Sequence, residues 1–389
     1  MSELVADEAP VVRGALDKGT RFARYRVLRV LGDGASGIVY EAECEAEPAE
    51  ADDERRSVKT GDHVALKIIH RHLVKDRQIS RRFLREARIL SRLRGENLVD
   101  LVDFGEADGR LFMALELVQG TPLDRLARAG PMDPERAIGI VRQVCCALEV
   151  AHGTGVVHRD LKPGNVIVAN GDGRGDRVHV LDFGMAKMLR ADASQSLTAL
   201  TEQNMVFGTP EYMAPEQARG DEVDARADVY AAGVILYELL TGDVPFGGAT
   251  PISIMTAHLM EDPPPPSSRT DPGRIPPALE AVVLHALAKR PADRYPSATA
   301  LATALASALA RPRDVASTAP PPPAEPELGI RDTDHAIGYA PTMRFPHKRE
   351  ISAPVAEAPE PGSRLWLVIA LLAAAVGIIA GVVASLAGS

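Results

Sequence analysis

An acid, a lysine and an amide fall within six positions of one stretch, His158-Arg159-Asp160-Leu161-Lys162-Pro163-Gly164-Asn165, and a second acid follows in Leu181-Asp182-Phe183-Gly184. These residue types suit the transfer of a charged group to a hydroxyl. A carboxylate must orient the acceptor hydroxyl and take its proton. A bound nucleotide needs Mg²⁺, which prefers oxygen ligands such as Asp and Asn. Asp160 can serve the first role, and Asn165 with Asp182 the second. Val156-Val157 before the stretch, and Val166-Ile167-Val168 and Val178-His179-Val180-Leu181 after it, read as short strands. The chemistry would then sit on a loop held between strands, polar groups on a rigid frame.

These two motifs, in this order, resemble the catalytic loop and metal-binding motif of eukaryotic-like protein kinases. The resemblance implies that Asp160 is the catalytic base and that Lys162 supports the transferred phosphoryl group. It implies that Asn165 and Asp182 are the Mg²⁺ ligands and that ATP is the donor. The glycines of Leu31-Gly32-Asp33-Gly34-Ala35-Ser36-Gly37-Ile38-Val39 let a hairpin approach phosphate oxygens without a Cβ in the way. The same spacing occurs in dinucleotide-binding folds, but those want a helix directly after the glycines. Here Ile38-Val39-Tyr40-Glu41-Ala42 reads as strand.

Five further elements must hold that chemistry. Val64-Ala65-Leu66-Lys67-Ile68-Ile69 matches the kinase strand whose lysine contacts the α- and β-phosphates. Arg77 to Leu93 has apolar residues close to helical spacing, and Glu86 on it is the implied ion-pair partner of Lys67. Leu98 to Phe104 and Leu111 to Leu117 read as strands. In and just after the second, Leu115 matches the gatekeeper, and Glu116 and Val118 match the hinge whose backbone would bond adenine. Leu31, Gly32, Gly34 and Gly37 would cover the nucleotide, and Val39, Ala65 and Ile167 would sandwich the purine. Pro134 to His152 is helical by pattern, with Cys145 and Cys146 expected as core packing.

Gly208-Thr209-Pro210-Glu211-Tyr212-Met213-Ala214-Pro215-Glu216 resembles the end of the kinase activation segment. Lys162, and Thr209 before Pro210, are the forms typical of Ser/Thr-directed members, with Thr209 bonding Asp160 and Lys162. Asp228 would anchor the catalytic-loop backbone from a buried helix, and Arg294 would pair with Glu216. Arg159 beside the base implies control by phosphorylation, because an arginine fork binds a phosphate well. Thr201 is the expected site of modification, with Thr198 second, made in trans between copies of a homodimer.

The 389 residues carry a formal net charge of −9 and a pI near 5.6, which argues against a nucleic-acid surface. Three cysteines make no disulfide framework, and the acidic N-terminus has no apolar signal-peptide core. Residues 1–21 read as a disordered N-terminal tail. Residues 311–363 are a Pro- and Ala-rich linker. Leu365 to Ala387 holds no charged residue, enough to span a hydrocarbon core of about 30 Å as a transmembrane helix. Arg344, Lys348, Arg349 and Arg364 precede it and Gly388-Ser389 follow, so by the positive-inside rule the expectation is a cytoplasmic kinase with essentially no sensor domain on the far side. The Ala- and Arg-rich composition matches bacterial members, which makes the membrane the inner one.

The fold class is therefore α+β and bilobal, a protein-kinase domain over 22–310. A small antiparallel β-sheet N-lobe with one helix covers about 22–117, with an acidic insert at 44–62. A larger, mainly helical C-lobe covers about 121–310. The expected protein is a membrane-anchored serine/threonine kinase that passes the ATP γ-phosphoryl group to hydroxyls of protein substrates. A pseudokinase scaffold would lack one of Lys67, Asp160, Asn165 or Asp182, and all four are present. A small-molecule phosphotransferase of this fold would usually lack the segment from Gly208 to Glu216.

Overall fold

The computed structural model of the chain describes residues 14–46, 58–74, 77–171, 175–183 and 209–310. These belong to the first of two units, Met1–Ala319; the second, Pro320–Ser389, lies outside the described residues. So do Thr198 and Thr201, the core of the acidic insert, the linker and the apolar run Leu365–Ala387. Among the described residues no helix is long and apolar enough to cross a membrane.

The first lobe is a six-stranded sheet in the order β1-β2-β3-β4-β6-β5. Its strands are β1 (Arg21–Phe22), β2 (Tyr25–Gly34), β3 (Gly37–Cys44), β4 (His63–Ile69), β5 (Leu101–Ala107) and β6 (Arg110–Glu116). Every pairing is antiparallel. Alternation divides β4: Val64, Leu66 and Ile68 join an outer cluster with Tyr25, Tyr40 and Phe112, while Ala65 and Lys67 face the other way. Helix α1 (Arg77–Leu90) packs Phe83, Ala87 and Leu90 into the main core. Gly37 sits where β3 crosses closest to β4. A Cβ there would lie 2.2 Å from the Ile68 carbonyl oxygen, so only glycine fits.

The acidic insert leaves the sheet unbroken, because Gly61 N–H donates to Cys44 O and Cys44 N–H to Asp62 O, closing the hairpin at its base. The N-terminal boundary differs from the sequence expectation. Residues 14–21 are built onto the sheet: Leu16 N–H donates to the Tyr40 hydroxyl at 3.0 Å and Gly19 N–H to Val27 O at 2.8 Å. Their partners lie far along the chain, which a local reading of polarity does not see.

The second lobe begins with β7 (Thr121–Pro122) and α2 (Leu123–Ala127), then α3 (Pro134–Gly153). Asp133 caps α3 by accepting from the backbone of Glu135 and Arg136. Strands β8 (Val166–Gly171) and β9 (Gly175–Val180) pair with β7 in a small sheet of order β7-β8-β9. Among the described residues the remaining α-helices are α4 (Pro215–Arg219), α5 (Arg226–Thr241), α6 (Pro251–Met260), α7 (Pro277–Ala286) and α8 (Ala298–Ala310). Helix α5 is apolar nearly all round, and nearly all of it is buried; α3, α7 and α8 pack against it.

Two local expectations change. Val156-Val157 is not a strand but part of the loop leaving α3. Of the adjacent cysteines only Cys145 is in the core; Cys146 is exposed, as the 100° step of a helix requires.

Candidate active site

The stretch from His158 to Asn165 runs between the end of α3 and β8, and α5 fixes its entry. Asp228 is 1% exposed. It accepts from His158 N–H at 2.8 Å and Arg159 N–H at 2.9 Å, and His152 Nε2 lies 2.7 Å from the same carboxylate. His158 is buried; its Nδ1 accepts from Asp160 N–H and its Nε2 meets Leu181 O at 2.8 Å. That network assigns the ring proton to Nε2. Phe183 packs on the same ring with centroids 4.7 Å apart. Arg159 and Asp182 both hold left-handed backbone, at φ of 66° and 59°. Such residues cost about 1–3 kcal/mol each and persist only where the surroundings over-determine them.

At the mouth of this loop Lys162 Nζ lies 3.1 Å from Asp160 Oδ2 and donates to Thr209 Oγ1 at 3.0 Å. Asn165 is buried, and its amide donates to Asp160 O at 2.7 Å, while among the described residues nothing is bonded to its side-chain oxygen. Asp182 follows β9 and binds Lys67 of β4 at 2.6 Å, joining the two lobes. Burial alone would raise the Asp182 carboxyl; Lys67, with His158 and Lys162, outweighs it and holds the group below its ordinary range. Beneath α4, Arg294 meets both oxygens of Glu216 at 2.7 Å, a fully buried fork.

The implied pair of Lys67 with Glu86 is not the one found. Lys67 is 5% exposed, and a buried ammonium needs a carboxylate. Asp182 supplies it, while Glu86 meets Arg85 at 3.3 Å. Thr209 reaches Lys162 as expected, and no bond from it to Asp160 is formed.

The nucleotide residues line the seam. Val39 faces Lys67 across β3 and β4, and Ala65 faces Leu115 across β4 and β6. Glu116 ends β6, Val118 follows it, and Ile167 lies on β8. Leu31 is exposed at the sheet's tip. A Cβ on Gly32 would meet nothing within 4 Å, and one on Gly34 only the Gly37 carbonyl oxygen, so the hairpin leaves room for phosphates. Among the described residues no cluster of three or more His, Cys, Asp or Glu could hold a metal. Asn165 and Asp182 fit a cation that takes its other oxygens from phosphate and water, as Mg²⁺ does.

Four residues that hold the site carried no sequence signal of their role. His152 lies 2.7 Å from Asp228, and Gln217 donates to the Arg159 carbonyl. Tyr212 donates to Glu238 at 2.7 Å, and His258 is wholly buried beside Tyr230. Only a pairing across 26 or more positions reveals each.

The sequence pattern of the family described as "Protein kinase domain" matches residues 25–305. The serine/threonine-protein kinase pkn3 of Myxococcus xanthus is 45% identical over 279 residues, 71% of this chain and 48% of that protein. The serine/threonine-protein kinase PknH of Mycobacterium tuberculosis is 40% identical over 316 residues, 78% of this chain and 46% of that protein. The chain spans about half the length of the curated relatives it matches. The crystal structure of the Mycobacterium tuberculosis PknI kinase domain is 28% identical and covers 76% of this chain and all of its own, with a TM-score of 0.57.

Proposed function

The chain belongs to the protein kinase family, with bacterial serine/threonine kinases among its relatives, and from that premise we propose that it transfers the γ-phosphoryl group of ATP to Ser or Thr hydroxyls of proteins. The observation that carries this reading is the position of Lys162, whose Nζ touches both Asp160 and Thr209. It ties the acid of the loop to the segment that would hold an acceptor peptide, which a small-molecule phosphotransferase does not need.

In this reading Asp160 orients the acceptor hydroxyl and takes its proton as the hydroxyl oxygen bonds to the γ-phosphorus. The bond from that phosphorus to the bridging oxygen breaks, and ADP leaves with the electron pair. Lys162 offsets negative charge on the moving group, and Lys67 holds the α- and β-phosphates. Asn165 and Asp182 would hold Mg²⁺, which supplies charge neutralisation at the phosphates when bound. Leu31, Gly32, Gly34, Gly37, Val39, Ala65, Leu115, Glu116, Val118 and Ile167 would bind the rest of the nucleotide, with Glu86 as alternative partner for Lys67. Catalysis is then positioning and electrostatics rather than covalent chemistry. Full-length protein incubated with labelled ATP and a protein acceptor is expected to yield phosphoserine or phosphothreonine. Equal yield from Asp160→Asn would overturn the assignment of the base.

Two features outside the described residues complete the reading. Leu365 to Ala387 is proposed as a single inner-membrane span with the kinase on the cytoplasmic side, on the strength of its uncharged length and the arginines and lysine before it. Thr201, then Thr198, is proposed to be phosphorylated in trans within a homodimer. Supporting this, the Arg159 Nε is buried and has no hydrogen-bond partner among the described residues, a donor that a phosphate oxygen could satisfy.

A further inference from the structure

The peptide unit between Arg159 and Asp160 decides where the Asp160 side chain points. Its two polar ends are the Arg159 carbonyl oxygen and the Asp160 N–H. The N–H donates to His158 Nδ1 at 3.3 Å, a long bond. The carbonyl oxygen accepts from Gln217 Nε2 at 2.8 Å, a better one, from a residue 58 positions away. Arg159 itself is left-handed, a conformation that would relax if its anchors were lost. Asp228 grips its N–H from below, and Gln217 grips its carbonyl from the side of α4.

The mount for Gln217 is rigid. Its side-chain oxygen accepts from Ala214 N–H at 3.1 Å, so both ends of the amide are used. A flipped amide would set donor against donor and oxygen against oxygen, which fixes the orientation. The preceding residue, Glu216, is locked by the buried fork of Arg294. Ala214 and Glu216 belong to the same stretch as Thr209, which contacts Lys162.

We propose that Gln217 is a positioning residue of the phosphoryl-transfer site, which holds the Arg159–Asp160 peptide through the Arg159 carbonyl and so makes the aim of Asp160 depend on the segment that binds the acceptor. This rests on the kinase reading above. A glutamine that only capped its short helix would use the bond to Ala214 alone.

The two bonds can be removed separately in the full-length protein. Gln217→Glu keeps an acceptor for Ala214 N–H but sets a carboxylate oxygen against the Arg159 carbonyl. Its kcat at pH 8 is expected to fall about tenfold or more, with KM for ATP within about twofold and Tm close to wild type. Gln217→Lys keeps a donor for the Arg159 carbonyl and gives up the acceptor. It is expected to retain most of the kcat that Gln217→Glu loses, while its Tm falls. The Glu variant carries a further signature. Once protonated, its carboxyl can donate again, so its activity relative to wild type should rise as pH falls from 8 to 6. The neighbouring ionisable groups are His158, Arg159, Asp160 and Lys162 on the loop, His152 and Asp228 beneath it, and Glu216, Arg226 and Arg294 around α4. All are shared with wild type, so the ratio isolates residue 217. Equal loss of kcat in both variants, a loss that tracks Tm, or a ratio flat with pH would overturn the role. Inactive wild-type protein, indistinguishable from Asp160→Asn, would instead overturn the kinase reading itself.

Discussion

Lys67 and Asp182 meet at 2.6 Å with Lys67 almost wholly buried, so each charge depends on the other. Asp160 is different: it is half-buried and, among the described residues, is bonded by Lys162 and through its own backbone. Asp160→Asn should therefore leave Tm unchanged while kcat falls by about 10²–10⁴, the usual worth of a general base; turnover and thermal unfolding of one sample test both halves. His258 shows the opposite pattern, a titratable group with structural weight. It is fully buried, with the Tyr230 hydroxyl 2.7 Å from Nδ1 and Glu211 O 3.0 Å from Nε2. Burial, then Lys289 nearby, lowers its pKa from 6.5 to about 4. The folded value lies below the unfolded one, so the neutral ring stabilises fully above pH 6.5. That contribution is lost as pH falls from 6.5 towards 4, on the order of 3 kcal/mol in all. Urea unfolding at pH 7.5 and pH 4.5 should show the wild-type advantage over His258→Gln shrinking at the lower pH. An advantage that is constant or grows would contradict the neutral buried ring.

At the scale of elements, local pattern found what local forces determine. Helix α3 was expected over Pro134–His152 and runs to Gly153, because its apolar spacing and the Asp133 cap are both nearby in sequence. The pattern Val64-Ala65-Leu66-Lys67-Ile68-Ile69 marks strand β4, which begins one residue earlier, at His63. Strand β5 slid three residues, since Leu98 makes only a lone bridge to Val180 and the ladder with β6 starts at Leu101. The motif residues were legible because their chemistry demands particular types at particular spacings. Their supports were not: the carbonyl that Gln217 holds is 58 positions off, and the Lys67 partner is decided by which carboxylate burial brings within reach. The hairpin β2–β3 joins both cases. Its glycines were legible as a phosphate cradle, yet the tightest constraint on Gly37 is the Ile68 carbonyl of the next strand. Gly37→Val must push β3 from β4. It is expected to cost about 1–3 kcal/mol of stability and to raise KM for ATP several-fold. Gly32→Ala, with open space around its Cβ, should keep wild-type stability. Urea unfolding of the pair, with ATP titration, separates the packing role from the phosphate role.

For the whole molecule the proposed span and linker would set how often two kinase domains meet. About 23 uncharged residues from Leu365 to Ala387 would, if helical, rise roughly 1.5 Å each, enough to cross the bilayer core. Confinement to a membrane turns encounter from a three-dimensional search into a local one with a raised effective concentration. Phosphorylation in trans should then depend on the span even though the site of chemistry does not. The test pairs wild-type protein with an Asp160→Asn copy that can only accept. Reconstituted together in vesicles, the acceptor copy is expected to gain phosphate at Thr201 or Thr198. At the same bulk concentration, with residues 365–387 deleted from both, the rate should fall at least about tenfold. Turnover of an exogenous protein substrate, measured on protein already phosphorylated at these threonines, should stay unchanged, because the deletion leaves Asp160, Lys162 and Thr209 in place. Equal trans-phosphorylation with and without the span would show that proximity is supplied by contacts within the kinase domain, and full-length protein that stays soluble without detergent would remove the membrane from the account altogether.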